Sequence, residues 1–155
     1  MKKRMTLSLT VINSKHLKTM KKIQAMMVVV LVALMAFAVQ SCGSDDTTPD
    51  LSGSTYQMST SMAFQDRGEL TAAEAATLEQ AFVKTETGKY ITDKSAADKT
   101  KEIVDIMAAN IEVQMKGDKT VAFTVTIITT NMSNQKQVCK WDIVYDKGNV
   151  STKKY

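Results

Sequence analysis

The chain has 155 residues, a formal net charge of +4 and a sequence that is 44% hydrophobic, with two cysteines and one histidine. The basic excess sits at one end: 7 of the 20 Lys and Arg, and none of the 16 Asp and Glu, lie in residues 1–41, leaving 13 basic against 16 acidic residues, a net −3. The net charge after residue 41 therefore lends no support to a nucleic-acid partner, and the 114 residues that follow suffice for one domain but not two.

Residues 1–19 carry basic residues without an apolar run, whereas Met20-Lys21-Lys22 opens a signal peptide on its own, so translation is expected to begin at Met20. From Ala25 to Val39 the chain is uncharged and apolar, preceded by Lys18, Lys21 and Lys22. This run is shorter than the roughly 20 residues a membrane-spanning helix needs, and acidic and polar residues follow it at once. A removable signal peptide over residues 1–41 is the expectation.

Val39-Gln40-Ser41-Cys42 resembles the lipobox of bacterial lipoproteins, with an aliphatic residue three before the cysteine and a small one directly before it; Gln40 departs from the commonest choice. The resemblance implies cleavage between Ser41 and Cys42 and attachment of diacylglycerol to the Cys42 sulfur. It often implies a further acyl chain, such as palmitate, on the new amine. Each buried methylene contributes roughly 0.8 kcal/mol, so two or three chains hold a protein to a membrane where one is marginal. Ser44-Asp45-Asp46 is similar to the acidic cluster that accompanies surface export in Bacteroidetes lipoproteins, which implies an outer-membrane, surface-exposed location. Asp46-Thr47-Thr48 likewise resembles the short O-glycosylation motif of that phylum, with Thr47 as acceptor.

Residues 42–53 hold the only proline, Pro49, among Ser, Thr, Asp and Gly, and read as a flexible tether to a single domain at 54–155. Tyr56, Met58, Met62 and Phe64 alternate with polar residues and predict a half-buried strand. Asp66 to Glu69 makes a turn. Thr71-Ala72-Ala73-Glu74 predicts a capping box opening a helix to about Lys84, with Leu70, Leu78 and Phe82 inward. A second helix is predicted from a Ser95 cap, with Ile103, Ile106 and Met107 as its core stripe. Around Asn110 the period shifts to alternation, so Ile111, Val113 and Met115 read as a strand, joined by a Gly117-Asp118 hairpin to a strand holding Val121, Phe123, Val125 and Ile127. Cys139, Trp141, Ile143 and Tyr145 alternate in the next strand, and Val150 to Tyr155 closes the sheet, its Lys153 and Lys154 suiting an edge.

The predicted fold is therefore α+β: one strand, two helices, then a four-stranded antiparallel meander packed on the helices. That order is similar to cystatin-like and NTF2-like folds, although the cystatin inhibitory motif Gln-x-Val-x-Gly is absent from the sequence.

Candidate chemistry is sparse. The one histidine, His16, lies upstream of the expected cut, so a processed chain has no imidazole for a triad or a metal. The six glycines are isolated, and no phosphate-cradling loop can form from them. Asp66, Gly68 and Glu74 have part of a calcium-loop spacing but read as a turn and a helix cap. Asp142 and Asp146 share a strand face and read as solvated; Trp141 and Tyr145 read as core, and Cys139 as a buried small side chain. No catalytic residue, metal site or cofactor is assigned. The expected function is a lipid-anchored, non-enzymatic binding or accessory domain for an envelope protein or glycan. The alternatives are a hydrolase of a surface polymer using carboxylates or Cys139, and a structural envelope component assembling through its edge strand.

Overall fold

The computed structural model describes residues 21, 24, 37, 53–115 and 118–155. Within them the chain forms β1 (Ser54–Arg67), α1 (Ala72–Phe82), β2 (Lys84–Tyr90), α2 (Asp93–Met115), β3 (Val121–Asn131), β4 (Lys136–Asp146) and β5 (Asn149–Lys154). The α+β class stands; the order of elements does not. A strand separates the two helices, and Ile111, Val113 and Met115 belong to α2, not to a strand. The meander after the helices consequently has three strands, β3 to β5.

Helix periodicity explains the second correction. Ile103, Met107, Ile111 and Met115 recur every four residues and are all buried, while Val113 is 70% exposed, as one face of a single long helix requires. Ile106, expected in the core stripe, is 36% exposed, and Val104 takes its place at 0%. The start of α2 also differs from the expected Ser95 cap. Thr92 caps it: the Ser95 amide donates to Thr92 Oγ1 at 3.1 Å and the Thr92 amide donates back to Ser95 Oγ at 3.2 Å. Asp118 donates its amide to the Met115 carbonyl at 2.9 Å, so the segment read as a hairpin instead ends the helix; Gly117 lies outside the described residues.

All five strands pair antiparallel in the order β2-β1-β3-β4-β5. β1 is the centre of one half of the sheet, flanked by β2 and β3, which run parallel to each other. Joining them needs a crossover, and α2 supplies it. Both helices lie on one face. From the sheet Tyr56, Met58, Met62, Phe123, Val125, Ile127, Ile143 and Tyr145 point into the core, and from the helices Leu78, Phe82, Ile103, Val104, Met107 and Ile111 meet them. Full burial of such side chains contributes roughly 1.5–3 kcal/mol each, and Phe123 stacks on Tyr145 at 5.3 Å between centroids.

Several buried polar groups on this face are paired across elements, whereas the buried Trp141 Nε1 has no hydrogen-bond partner among the described residues. Thr60 Oγ1 donates to the Phe82 carbonyl at 2.7 Å and satisfies the end of α1. Thr100 on α2 donates to the Ala96 carbonyl at 2.8 Å and meets Thr129 of β3, hydroxyl to hydroxyl, at 2.7 Å. Tyr145 Oη lies 2.8 Å from the Met115 carbonyl and 2.6 Å from that of Asp118, tying β4 to the end of α2.

Candidate functional site

With both helices on one side, the other face of the sheet has no covering layer among the described residues. β1 offers Gln57, Ser59 and Ser61 there, and β3 offers Thr124, Thr126, Ile128 and Thr130. β4 and β5 complete it with Lys140, Asp142, Val144, Ser151 and Lys153. Side chains alternate across a strand, so the pattern that fills the core necessarily aims this Ser, Thr and Lys set outward.

The face is organised around Asp142. Its Oδ1 accepts from Thr126 Oγ1 at 2.8 Å and its Oδ2 accepts from Tyr155 Oη at 2.7 Å. The Lys140 and Lys153 ammonium groups stand 4.5 and 4.6 Å from the centroid of the Tyr155 ring, within cation–π range. The bond to the Asp142 carboxylate raises the Tyr155 pKa above the ordinary phenol value, with partial desolvation adding to it. Gln65 Nε2 donates to Thr124 Oγ1 at 3.2 Å at the far end of the same face. The arrangement presents hydroxyls, one carboxylate and two ammonium groups on a firm backbone. It suits hydrogen-bonded recognition more than bond breaking.

Asp142 and Asp146 share this face, but four strand residues separate them by about 13 Å, and Asp142 is engaged by Thr126 and Tyr155. Cys139 points the other way, a free thiol 3% exposed in the helix-covered face. Tyr145 is buried, and Trp141 packs against the core with Lys154 5.8 Å from its ring. Asp66 accepts from the Gly68 amide at 3.0 Å and pairs with Lys147 at 3.3 Å, and these contacts lower its pKa. Glu74 closes the capping box: its Oε2 accepts from the Thr71 amide at 2.9 Å, and its own amide donates to Thr71 Oγ1 at 3.3 Å. The calcium-like spacing is thus taken up by a turn and a cap. Among the described residues no group of three or more His, Cys, Asp or Glu side chains could hold a metal ion. Ser41, Cys42, Thr47 and His16 lie outside the described residues.

A second constellation lies at the opposite end of the sheet. The Tyr56 hydroxyl donates to Asp93 Oδ1 at 2.8 Å, and Asn131 Nδ2 donates to the same oxygen at 2.9 Å. The Asn131 bond, then that of Tyr56, lowers the Asp93 pKa, whereas burial, then the Asp93 bond, raises that of Tyr56. The Tyr56 and Tyr90 rings meet edge to face, with centroids 5.8 Å apart. Tyr90 in turn contacts Phe37, with ring centroids 5.1 Å apart, and donates its hydroxyl to the Phe37 carbonyl at 2.9 Å. Burial, followed by the negative field of Glu102, pushes the Tyr90 phenol up to about 12.

Neither the Asp142 cluster nor the Tyr90 contact was readable in advance. Lys140 with Asp142 and Lys153 with Tyr155 have the two-residue spacing of one strand face, but the register that joins the two pairs is a property of the folded sheet. No protein family matches the chain, no curated protein matches its sequence, and no solved structure matches its fold.

Proposed function

We propose that this protein is a lipid-anchored component of a bacterial cell envelope. Cys42 is its acylated first residue after cleavage behind Ser41, residues 42–53 are its tether, and the folded domain faces outward from an outer membrane. Its task in this reading is non-enzymatic. The uncovered sheet face binds another envelope protein; the likeness to cystatin-like and NTF2-like folds rests on an element order that β2, lying between the helices, replaces.

The observation that carries the binding role is the one-sided packing of both helices, which leaves a hydroxyl-rich face with paired ammonium groups and a carboxylate. A protein partner is favoured over a glycan because the Tyr155 ring is already flanked by Lys140 and Lys153 and Trp141 is on the covered side. A sugar platform needs an open aromatic surface.

The test uses photo-crosslinking residues in intact cells, placed at Thr126 on the open face and at Val113 on the exposed side of α2. A discrete protein adduct at 126 and none at 113 supports the reading. Equal adducts at both, or none together with a strong glycan-array signal, sinks it. Fatty-acid labelling that survives Cys42→Ala would sink the anchor, and protease shaving of cells reads which side of the membrane the domain occupies.

A further inference from the structure

We propose that Tyr90, Tyr56 and Gly88 form a docking socket for one aromatic residue of a partner peptide, closed in the uncut chain by Phe37 and opened when the chain is cut before Cys42. The opening step rests on the lipoprotein reading above; the socket itself rests on geometry. Phe37 stands five positions before Cys42 in sequence, yet it is 0% exposed and belongs to the domain's core cluster. Its ring packs on Tyr90 at 5.1 Å, and the Tyr90 and Tyr56 rings meet edge to face at 5.8 Å.

The contact is more than apolar. Tyr90 Oη donates to the Phe37 main-chain carbonyl at 2.9 Å. Gly88 lets that carbonyl approach: a Cβ there would lie 2.8 Å from the Phe37 oxygen and 2.9 Å from Tyr90 Cε2. Glycine weakens a strand interior unless another group comes close, so its place in β2 fits a site built around an incoming backbone. The site therefore reads two features of one residue, an aromatic ring and its own carbonyl.

That pair of features selects the class of occupant. Loss of Phe37 uncovers apolar ring surface and removes the acceptor of the Tyr90 hydroxyl. An acyl chain would cover the rings but leave the hydroxyl without a partner, which is costly in a buried place. A sugar would satisfy the hydroxyl and leave the recess poorly filled. A peptide aromatic residue does both, as Phe37 does.

The experiment compares the natively processed protein, purified in detergent, with a full-length Cys42→Ala chain that stays uncut. Mass spectrometry of each N-terminus reads the cut independently of binding. The probe is a fluorescent synthetic peptide of residues 32–41 with a lysine tail, and its Phe37→Ala counterpart is the control for micelle partitioning. The processed protein should bind the probe at least tenfold more tightly than the uncut chain. Loss of the buried ring from the peptide should cost roughly thirtyfold or more, and Tyr90→Phe in the protein about 2- to 12-fold. No binding by the processed protein, or equal binding of the Phe37→Ala peptide, overturns the socket. Should the native protein prove uncut, the lipoprotein reading fails alone; the socket then stands only if Phe37→Ala in the full chain creates binding of the probe.

Discussion

The hydroxyl pair between α2 and β3 makes an asymmetric prediction. Thr100 and Thr129 are each 0% exposed, and their oxygens are 2.7 Å apart. A hydroxyl has one proton to donate. Thr100 donates its proton to the Ala96 carbonyl, so the short contact requires Thr129 to be the donor to Thr100. Thr100→Val keeps the shape but strands the Thr129 proton in the core, at a cost of about 1–3 kcal/mol. Thr129→Val removes only a donor and leaves Thr100 with its bond to Ala96, which should cost no more than about 1 kcal/mol. The double variant replaces both groups by methyls of the same shape and should lie within about 1 kcal/mol of the parent, below the sum of the two singles. Helix and strand propensities of Thr and Val are close enough to leave this ordering intact. Urea unfolding followed by circular dichroism is the assay. With a slope of about 1–3 kcal/mol per molar, the Thr100→Val midpoint should fall by about 1 M at unchanged slope. Equal singles that add to within about 0.5 kcal/mol would refute the donor assignment.

Three further outcomes are expected. Gly68→Ala should destabilise by about 1–3 kcal/mol in the same assay, because Gly68 has φ +55° and a Cβ would lie 2.5 Å from Thr120 Oγ1; a neutral variant would contradict that turn. Thr71→Ala should cost about 0.5–2 kcal/mol through loss of the α1 cap, and a Ser in its place should restore most of it. Asp93 has its carboxyl pKa held below the ordinary 3.8 by the Asn131 and Tyr56 bonds. Its stabilising contribution is therefore complete above the unfolded value and is lost as pH falls through the lower folded value. Asp66 acts with the same sign, through the Gly68 amide and then Lys147. Asp93→Asn should flatten the acid limb of a stability–pH profile relative to the parent without removing the Asp66 part; an unchanged limb would show that the carboxylate is not held by those bonds.

The parts of the fold that were legible in sequence are those where one physical signal acts alone. The capping box at Thr71 and Glu74 is a local chemical fit, and the alternation from Val121 to Ile127 has one buried face. The failures came where two periods compete or where no apolar signal exists. Ile111, Val113 and Met115 alternate over five residues, but Ile111 and Met115 also continue the four-residue ladder from Ile103, and the longer series prevails. β2 reads Lys-Thr-Glu-Thr-Gly-Lys-Tyr, with Tyr90 as its sole large apolar side chain. An edge strand needs little more, since β1 supplies the pairing and one aromatic ring the packing. Thr124, Thr126 and Thr130 fall on the open face because they alternate with the buried residues of β3, whereas the meeting of Tyr155 with Asp142 depends on the β4–β5 register.

The position of β1 also sets an order of events for a chain that emerges N-terminus first. β1 ends at Arg67, yet its longer pairing partner, β3, runs from Val121 to Asn131. Until that stretch has appeared, β1 has only the short β2 beside it and α2 has no sheet floor to cover. Contacts of such long sequence separation delay folding. A nascent segment of this protein would thus stay threadable through a narrow pore until β3 has been made, and would then close in one late step as β3 slots against β1.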